Sequence, residues 1–321
     1  SGKSIDRLVS FVDFAPTVLN LAGLDVPDHM QGSTFLGPDQ AKPRQYVYGA
    51  RDRVDEVFEL SRSIRDDRYL LIRNSMPHLS WMPPEFYSDQ SDMRRELNQL
   101  AAIGKLNADQ MTYAGPRKPR LEFYDTAADP HQIRNLADEP RHQDRIKAMS
   151  LSLIDWQRNT NDLGAYTEPD LLARLNGRSP WEFGGDHAAL CKKVRDAAET
   201  ATSYIPARIM KLLKHKDPAV RYWGAVGLSM SGADTPDARN ALHTALQDDA
   251  AVVRVEAAAA LVRLGDTAAA LPVLENALTS PPIELRLHAV RHLQLLGAAA
   301  RPAKAAIEAA RDDATKRLKE D

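Results

Sequence analysis

The second half of this 321-residue chain repeats itself. Asp217-Pro-Ala-Val-Arg221 is echoed by Asp249-Ala-Ala-Val-Val-Arg254 and again by Pro281-Pro-Ile-Glu-Leu-Arg286. The arginines fall 33 and then 32 residues apart, as do Gly232, Gly265 and Gly297, which close the apolar stretch after each. Each unit reads as helix, tight turn, helix, with Asp or Pro opening the second helix and Gly ending it. A unit this small cannot bury its apolar face alone, so the units have to stack into a superhelical solenoid. Arg221, Arg254 and Arg286 recur at one structural position, where such ladders cap or pair between repeats; their recurrence is architectural and points to no ligand. Asp312 to Arg317 reads as the start of a further repeat.

Upstream of about residue 180 the texture changes. Most of the aromatics and prolines lie there, in short alternating stretches separated by loops. Asp13 is placed as a helix N-cap, with Pro16 in the first turn and Gly23 at the end. Tyr46–Arg51 reads as a strand, and Val57–Arg65 and Tyr69–Asn74 as a hairpin turning at Asp66-Asp67-Arg68. Leu121–Tyr124 supplies a fourth strand, stopped at Asp125 and Asp129-Pro130. Arg141–Arg158 is helical, with Ile146, Met149, Leu153 and Trp156 on one apolar face. Residues 75–120 read as loop-rich with one helical piece near Met93–Gly104. Gly177-Arg-Ser-Pro-Trp-Glu-Phe-Gly-Gly185 carries linker punctuation. The expected fold is therefore α+β followed by all-α: a small antiparallel sheet with packing helices over 1–176, a linker over 177–185, and an α-solenoid over 186–321.

Composition narrows the function. Apolar residues make up 43% and charged residues 27%, the profile of a globular protein able to build two cores. A formal charge of −2 gives no electrostatic reason to expect nucleic acid or an anionic membrane as partner. No apolar run reaches the ~18–20 residues that span a bilayer. The opening Ser1-Gly-Lys-Ser-Ile-Asp6 has neither Met nor a hydrophobic region, and is expected to be an internal cut. One cysteine, Cys191, excludes an internal disulfide and a cysteine-based zinc site.

Two segments carry a family likeness: Val9-Ser-Phe-Val-Asp-Phe-Ala-Pro-Thr-Val-Leu-Asn-Leu-Ala-Gly23 and Leu121-Glu-Phe-Tyr-Asp-Thr-Ala-Ala-Asp-Pro-His-Gln-Ile-Arg-Asn-Leu-Ala137. With Gly32 between them, they resemble, in this order, the C-terminal part of the sulfatase family within the alkaline-phosphatase-like superfamily. The likeness covers roughly residues 5–160, and its texture is nearest the N-sulfoglucosamine sulfohydrolase-like group. The helical units are similar to HEAT repeats. The resemblance implies a parent hydrolase of sulfate esters or sulfamates, acting on a sulfated glycan. It also implies calcium and a formylglycine, made from the Cys or Ser of Cys/Ser-x-Pro-x-Arg. Those parts lie upstream of the first segment in the family, and only eight residues precede it here, so the catalytic core is expected to be missing and this chain inert. Cys191 lies in Cys191-Lys-Lys-Val-Arg195, without the proline, and reads as a small buried apolar residue. The family's aspartate cluster and Asp-Asn pair have no counterpart, and Asp66-Asp67 reads as a solvated turn, so no metal ligand is expected. A periplasmic or extracellular location follows from the resemblance alone.

One segment is expected to touch substrate. Arg51-Asp-Arg-Val-Asp-Glu56 follows a strand and precedes the hairpin, where a loop reaches a neighbouring cleft. Arginine offers bidentate hydrogen bonds to sulfate or carboxylate, and aspartate accepts from sugar hydroxyls. The segment also resembles that of bacterial relatives of heparan N-sulfatase, which implies substrate binding by Arg51, Asp52, Arg53 and Asp55. The alternative is a charged edge loop paired within itself. His78 reads as a packing or capping residue unless it faces the pocket; His187 has less claim to a role. Two rival functions stand beside the sulfatase reading: an interaction module whose repeats bind a protein partner, and a phosphatase or phosphodiesterase of the same superfamily.

Overall fold

The computed structural model describes residue 2 and residues 6–320, with side chains through residue 316. Apart from Gly2 and Asp6, the N-terminal stretch read above as an internal cut lies outside the described residues. In chain order the elements are α1 (Phe14–Leu21), β1 (Val47–Val54), β2 (Val57–Arg65), β3 (Tyr69–Asn74), α2 (Asp92–Ala102), α3 (Ala108–Ala114), β4 (Leu121–Asp125) and α4 (Gln143–Asn159). The helical series continues with α5 (Glu168–Leu175), α6 (Pro180–Asp186), α7 (Ala188–Ala201), α8 (Pro206–Leu212), α9 (Pro218–Ser231), α10 (Pro236–Ala245), α11 (Ala251–Arg263), α12 (Thr267–Ala277), α13 (Ile283–Leu296) and α14 (Lys304–Glu320). The sheet has strand order β1-β2-β3-β4, so the fold is α+β followed by all-α.

Two compact units result. The first comprises residues 1–51, 61–74 and 121–156. Its core forms where antiparallel register places Ile64 opposite Leu71 and Leu71 opposite Phe123, a buried row across the sheet. Strand alternation turns that row to one face, where Ile146, Met149 and Leu153 of α4 cover it. Each such side chain contributes about 1.5–3 kcal/mol relative to exposure. Trp156 closes the cluster by stacking on Tyr48 at 5.0 Å between ring centres. On the opposite face runs a buried polar chain. Ser61 Oγ donates to Asn74 Oδ1 (2.7 Å), Asn74 Nδ2 to Glu122 Oε1 (2.6 Å), and the Tyr124 hydroxyl to Glu122 Oε2 (2.6 Å).

Two aspartates depart from their expected roles. Asp13 holds the N-cap position of α1, as expected, but its side chain makes no capping hydrogen bond to that helix. It is buried, and its carboxylate accepts the N–H groups of Ser10 (2.7 Å) and Ser33 (2.8 Å) and pairs with Arg44. Asp66 is not solvated. Buried in the turn, it accepts the Arg68 N–H (2.9 Å) and pairs with Arg145 of α4 at 2.9 Å, which ties the hairpin to the helix.

The second unit comprises residues 52–60, 75–120 and 157–321. The inner helices α7, α9, α11 and α13 pack in sequence, with α8, α10 and α12 beside them. Gly232 and Gly265 take φ of 59° and 87°, a left-handed conformation that favours glycine and reverses the chain after each inner helix. Gly227 lets α9 approach α7, because a Cβ there would stand 3.0 Å from the Ala201 Cα. The arginine ladder both pairs between repeats and caps within them: Arg221 grips Asp248 through two hydrogen bonds of 2.7 and 2.8 Å. Arg254 Nη1 donates to the Asp248 and Asp249 carbonyls. Asp312 to Arg317 does not start a repeat; it lies within α14. The Gly177–Gly185 stretch contains most of α6, opened by a Ser179/Glu182 capping box. Among the described residues no helix is long and apolar enough to cross a membrane.

Candidate functional site

The expected substrate segment is the end of β1 and the turn into β2. Alternation along β1 puts Arg51 and Arg53 on one face and Asp52 on the other, so the strand does not present all four predicted residues together. Asp55 sits in the turn at φ 47°, a left-handed conformation that Asp tolerates better than most non-glycine residues. Arg53 is drawn sideways into an ion pair with Glu168 in the first turn of α5.

What surrounds the turn was not legible from its own sequence. Glu56 Oε1 accepts the Phe86 N–H at 2.7 Å, fixing the 83–91 loop beside the turn. Glu85 Oε1 accepts the Tyr87 N–H (2.8 Å) and Oε2 the Ser88 N–H (2.9 Å); hydrogen bonding from Ser88 holds its carboxyl below the ordinary range. Arg94 braces the loop through Asp89 (2.9 Å) and the Pro83 carbonyl (2.7 Å). The braced loop carries two aromatic rings into solvent, Phe86 at 78% and Tyr87 at 76% exposure. Exposed rings on a braced backbone beside the carboxylates of the turn form an amphipathic surface, part apolar and part polar. The signal was present as two adjacent aromatics after Pro83-Pro84 in a polar loop, but nothing in the sequence linked them to Glu56.

The residues present do not fit the implied cofactors. Cys191 is fully buried on α7 with the Tyr166 hydroxyl 4.0 Å from its sulfur, and burial pushes its thiol up, unlike a group awaiting oxidation. Asp55, Glu56 and Glu85 bring carboxylate oxygens within 4.8 Å of one another. The carboxylates of Glu56 and Glu85 already serve backbone N–H groups, as a loop staple does, which leaves them poorly suited to a calcium cage. The histidines stand elsewhere. His187 stacks on Phe183 at 4.5 Å with Nδ1 3.0 Å from the Phe183 carbonyl, a packing role. His78 is drawn inside, and burial pushes its imidazole down to about 3. A separate cleft of about 710 Å³, lined by Arg178, Trp181 and Asp186 among others, shares no residue with the β1–β2 turn.

Residues 1–114 match the family described as N-sulphoglucosamine sulphohydrolase, C-terminal, and residues 205–294 match HEAT repeats. An ulvan-active sulfatase of Formosa agariphila is 36% identical over 169 residues, covering 53% of this chain and 28% of the relative. The N-sulphoglucosamine sulphohydrolase of Homo sapiens is 26% identical over 178 residues, covering 50% of this chain and 34% of the relative. A solved 2-O GAG sulfatase is 21% identical, covering 50% of this chain and 28% of its own, with a TM-score of 0.34, too low to bear on the fold. The chain thus spans about a third of the length of the curated relatives it matches.

Proposed function

Taking residues 1–114 as a sulfatase C-terminal region and residues 205–294 as HEAT repeats, we propose that this chain is one part of a sulfatase that hydrolyses sulfate esters or sulfamates on a sulfated glycan. The family match over residues 1–114 carries the proposal. The names of the relatives, ulvan-active sulfatase and N-sulphoglucosamine sulphohydrolase, support a sulfated glycan as substrate. The formylglycine nucleophile and calcium belong to a further part of the parent protein, and this chain alone is inactive. Its buried cysteine and its occupied carboxylates support that division of labour. We assign residues 1–176 to the sulfatase-like part and 186–321 to the helical repeats, with 177–185 as a connection that folds largely as α6. Arg51, Asp52, Arg53 and Asp55 contribute to glycan binding in the parent, as do Phe86 and Tyr87, whose loop is tied to Glu56 of the turn. The helical repeats offer a surface for a protein partner.

The test compares this chain with the parent protein on an aryl sulfate, an N-sulfated glucosamine disaccharide and ulvan oligosaccharides, with calcium present. The parent is expected to release sulfate and this chain none. Sulfate release that co-purifies with this chain would defeat the inactivity claim. A parent that cleaves phosphate esters but no sulfated substrate would defeat the sulfatase reading.

A further inference from the structure

His288 and His292 lie four residues apart on α13, a spacing that stacks both imidazoles on one helix face. The helix packed against α13, α11, contributes Glu256, whose side chain is 2% exposed. His292 Nε2 stands 2.9 Å from Glu256 Oε2. The His288 and His292 rings meet edge to face with centres 4.8 Å apart. One donor atom from each of the three residues lies within 4.8 Å of the other two.

The cluster is incompletely satisfied. His288 Nε2 and His292 Nδ1 are buried with no hydrogen-bond partner among the described residues, although His292 is nine-tenths withdrawn from water. A buried polar atom without a partner costs about 1–3 kcal/mol, so a native protein ordinarily supplies one. His78 Nδ1 is likewise buried without a partner among the described residues, within electrostatic reach of Glu256 and His292.

We propose that Glu256, His288 and His292 bind a single divalent transition-metal ion, zinc by the nature of the ligands. Two imidazoles and a carboxylate suit zinc, with bonds of about 2.0–2.2 Å, whereas calcium and magnesium take oxygen ligands. Tetrahedral zinc at those bond lengths needs donors roughly 3.3 Å apart, and rotamer adjustment of the three side chains closes the observed spread. The ion takes the place of the proton between His292 and Glu256 and gives His288 Nε2 a partner. A fourth position remains for water. Because α11 and α13 are the inner helices of consecutive repeats, the ion staples one repeat to the next. The site is separate from the β1–β2 turn and does not depend on the sulfatase reading.

The test uses the full chain, free of any affinity tag, stripped with a chelator and dialysed. Titration calorimetry with zinc chloride should give one equivalent bound, and cobalt(II) should develop the visible absorption of a tetrahedral site. His288→Gln, at a partly exposed position, should weaken zinc binding at least tenfold and abolish the cobalt spectrum while leaving the helical circular dichroism unchanged; losing a ligand costs no less than the ~10–100-fold of an outer-shell loss. Should that variant lose its fold, zinc-edge X-ray absorption on the wild-type chain decides: two imidazoles in the coordination shell support the site, and fewer overturn it. Failure of the wild-type chain to take up zinc overturns the proposal, as does a folded His288→Gln that binds as well as wild type.

Discussion

Lys118 and Glu59 form an ion pair in which both side chains are almost wholly withdrawn from water. Lys118 Nζ also donates to the Leu79 carbonyl at 3.2 Å and lies over the Trp81 ring at 5.0 Å. The pair thereby fastens the start of β2 to the loop that follows α3 in the 75–120 segment. Removing one partner leaves the other charged and buried. Lys118→Met is expected to destabilise the chain by ~3–5 kcal/mol, and Glu59→Gln/Lys118→Met to recover part of that loss. Urea denaturation of both variants checks this; a single variant within 1 kcal/mol of wild type would count against it.

A second expectation concerns acid. A hydrogen bond from Arg68 holds the Asp125 carboxyl down to about 2, against an ordinary carboxylate value near 4. A carboxyl depressed in the folded state adds stability above its unfolded pKa and loses it as pH falls through the folded one. The contribution is therefore present above about pH 4 and lost between about pH 4 and 2. In Arg68→Ala the Asp125 titration, followed by carbon NMR, should move up toward the ordinary range. An unmoved titration would mean that the backbone N–H groups of Ala127 and Ala128 alone hold it down.

The glycan-binding surface proposed for the β1–β2 turn is tested in the proposed parent sulfatase. Arg53→Ala and the double variant Phe86→Ala/Tyr87→Ala should each raise KM by the equivalent of ~1–3 kcal/mol, the size of a charge-assisted contact or an aromatic face. Glu168→Gln serves as the control, since it frees Arg53 without removing it. Unchanged kcat/KM for Arg51→Ala, Arg53→Ala and Asp55→Ala alike would leave only a structural hairpin.

The helical array should fold without the sheet, but not equally well from every start. Trp223 Nε1 donates to the Ala165 carbonyl at 2.7 Å, and Arg174 grips Asp217 with two bonds of 3.0 Å. Residues 157–321 keep both contacts, whereas 186–321 loses them. Both fragments should give helical circular dichroism, the shorter with a lower Tm. Equal melting temperatures would show that α5 and the preceding loop add nothing to the array.

Periodicity alone determined the repeats, because stacked helix pairs are built from contacts near in sequence, and an apolar face recurring every 32 or 33 residues has one way to be buried. The β2 and β3 strands were legible for the same local reason: alternation and a polar turn specify a hairpin. Tertiary structure decided what depends on distant partners. Asp13 and Asp66 look like a cap and a solvated turn until Arg44, Ser33 and Arg145 arrive from elsewhere in the chain. Within residues 75–120 only the helical piece near Met93–Gly104 was legible, as α2; the loops around it take their place through distant contacts, Lys118 with Glu59 and Phe86 with Glu56. Glu256 lies one repeat away from His288 and His292, so no motif in the sequence joins them. Only the stacking of α11 on α13 brings the carboxylate to the imidazoles, since a polar group's worth depends on what lies within 3 Å of it rather than on its neighbours along the chain.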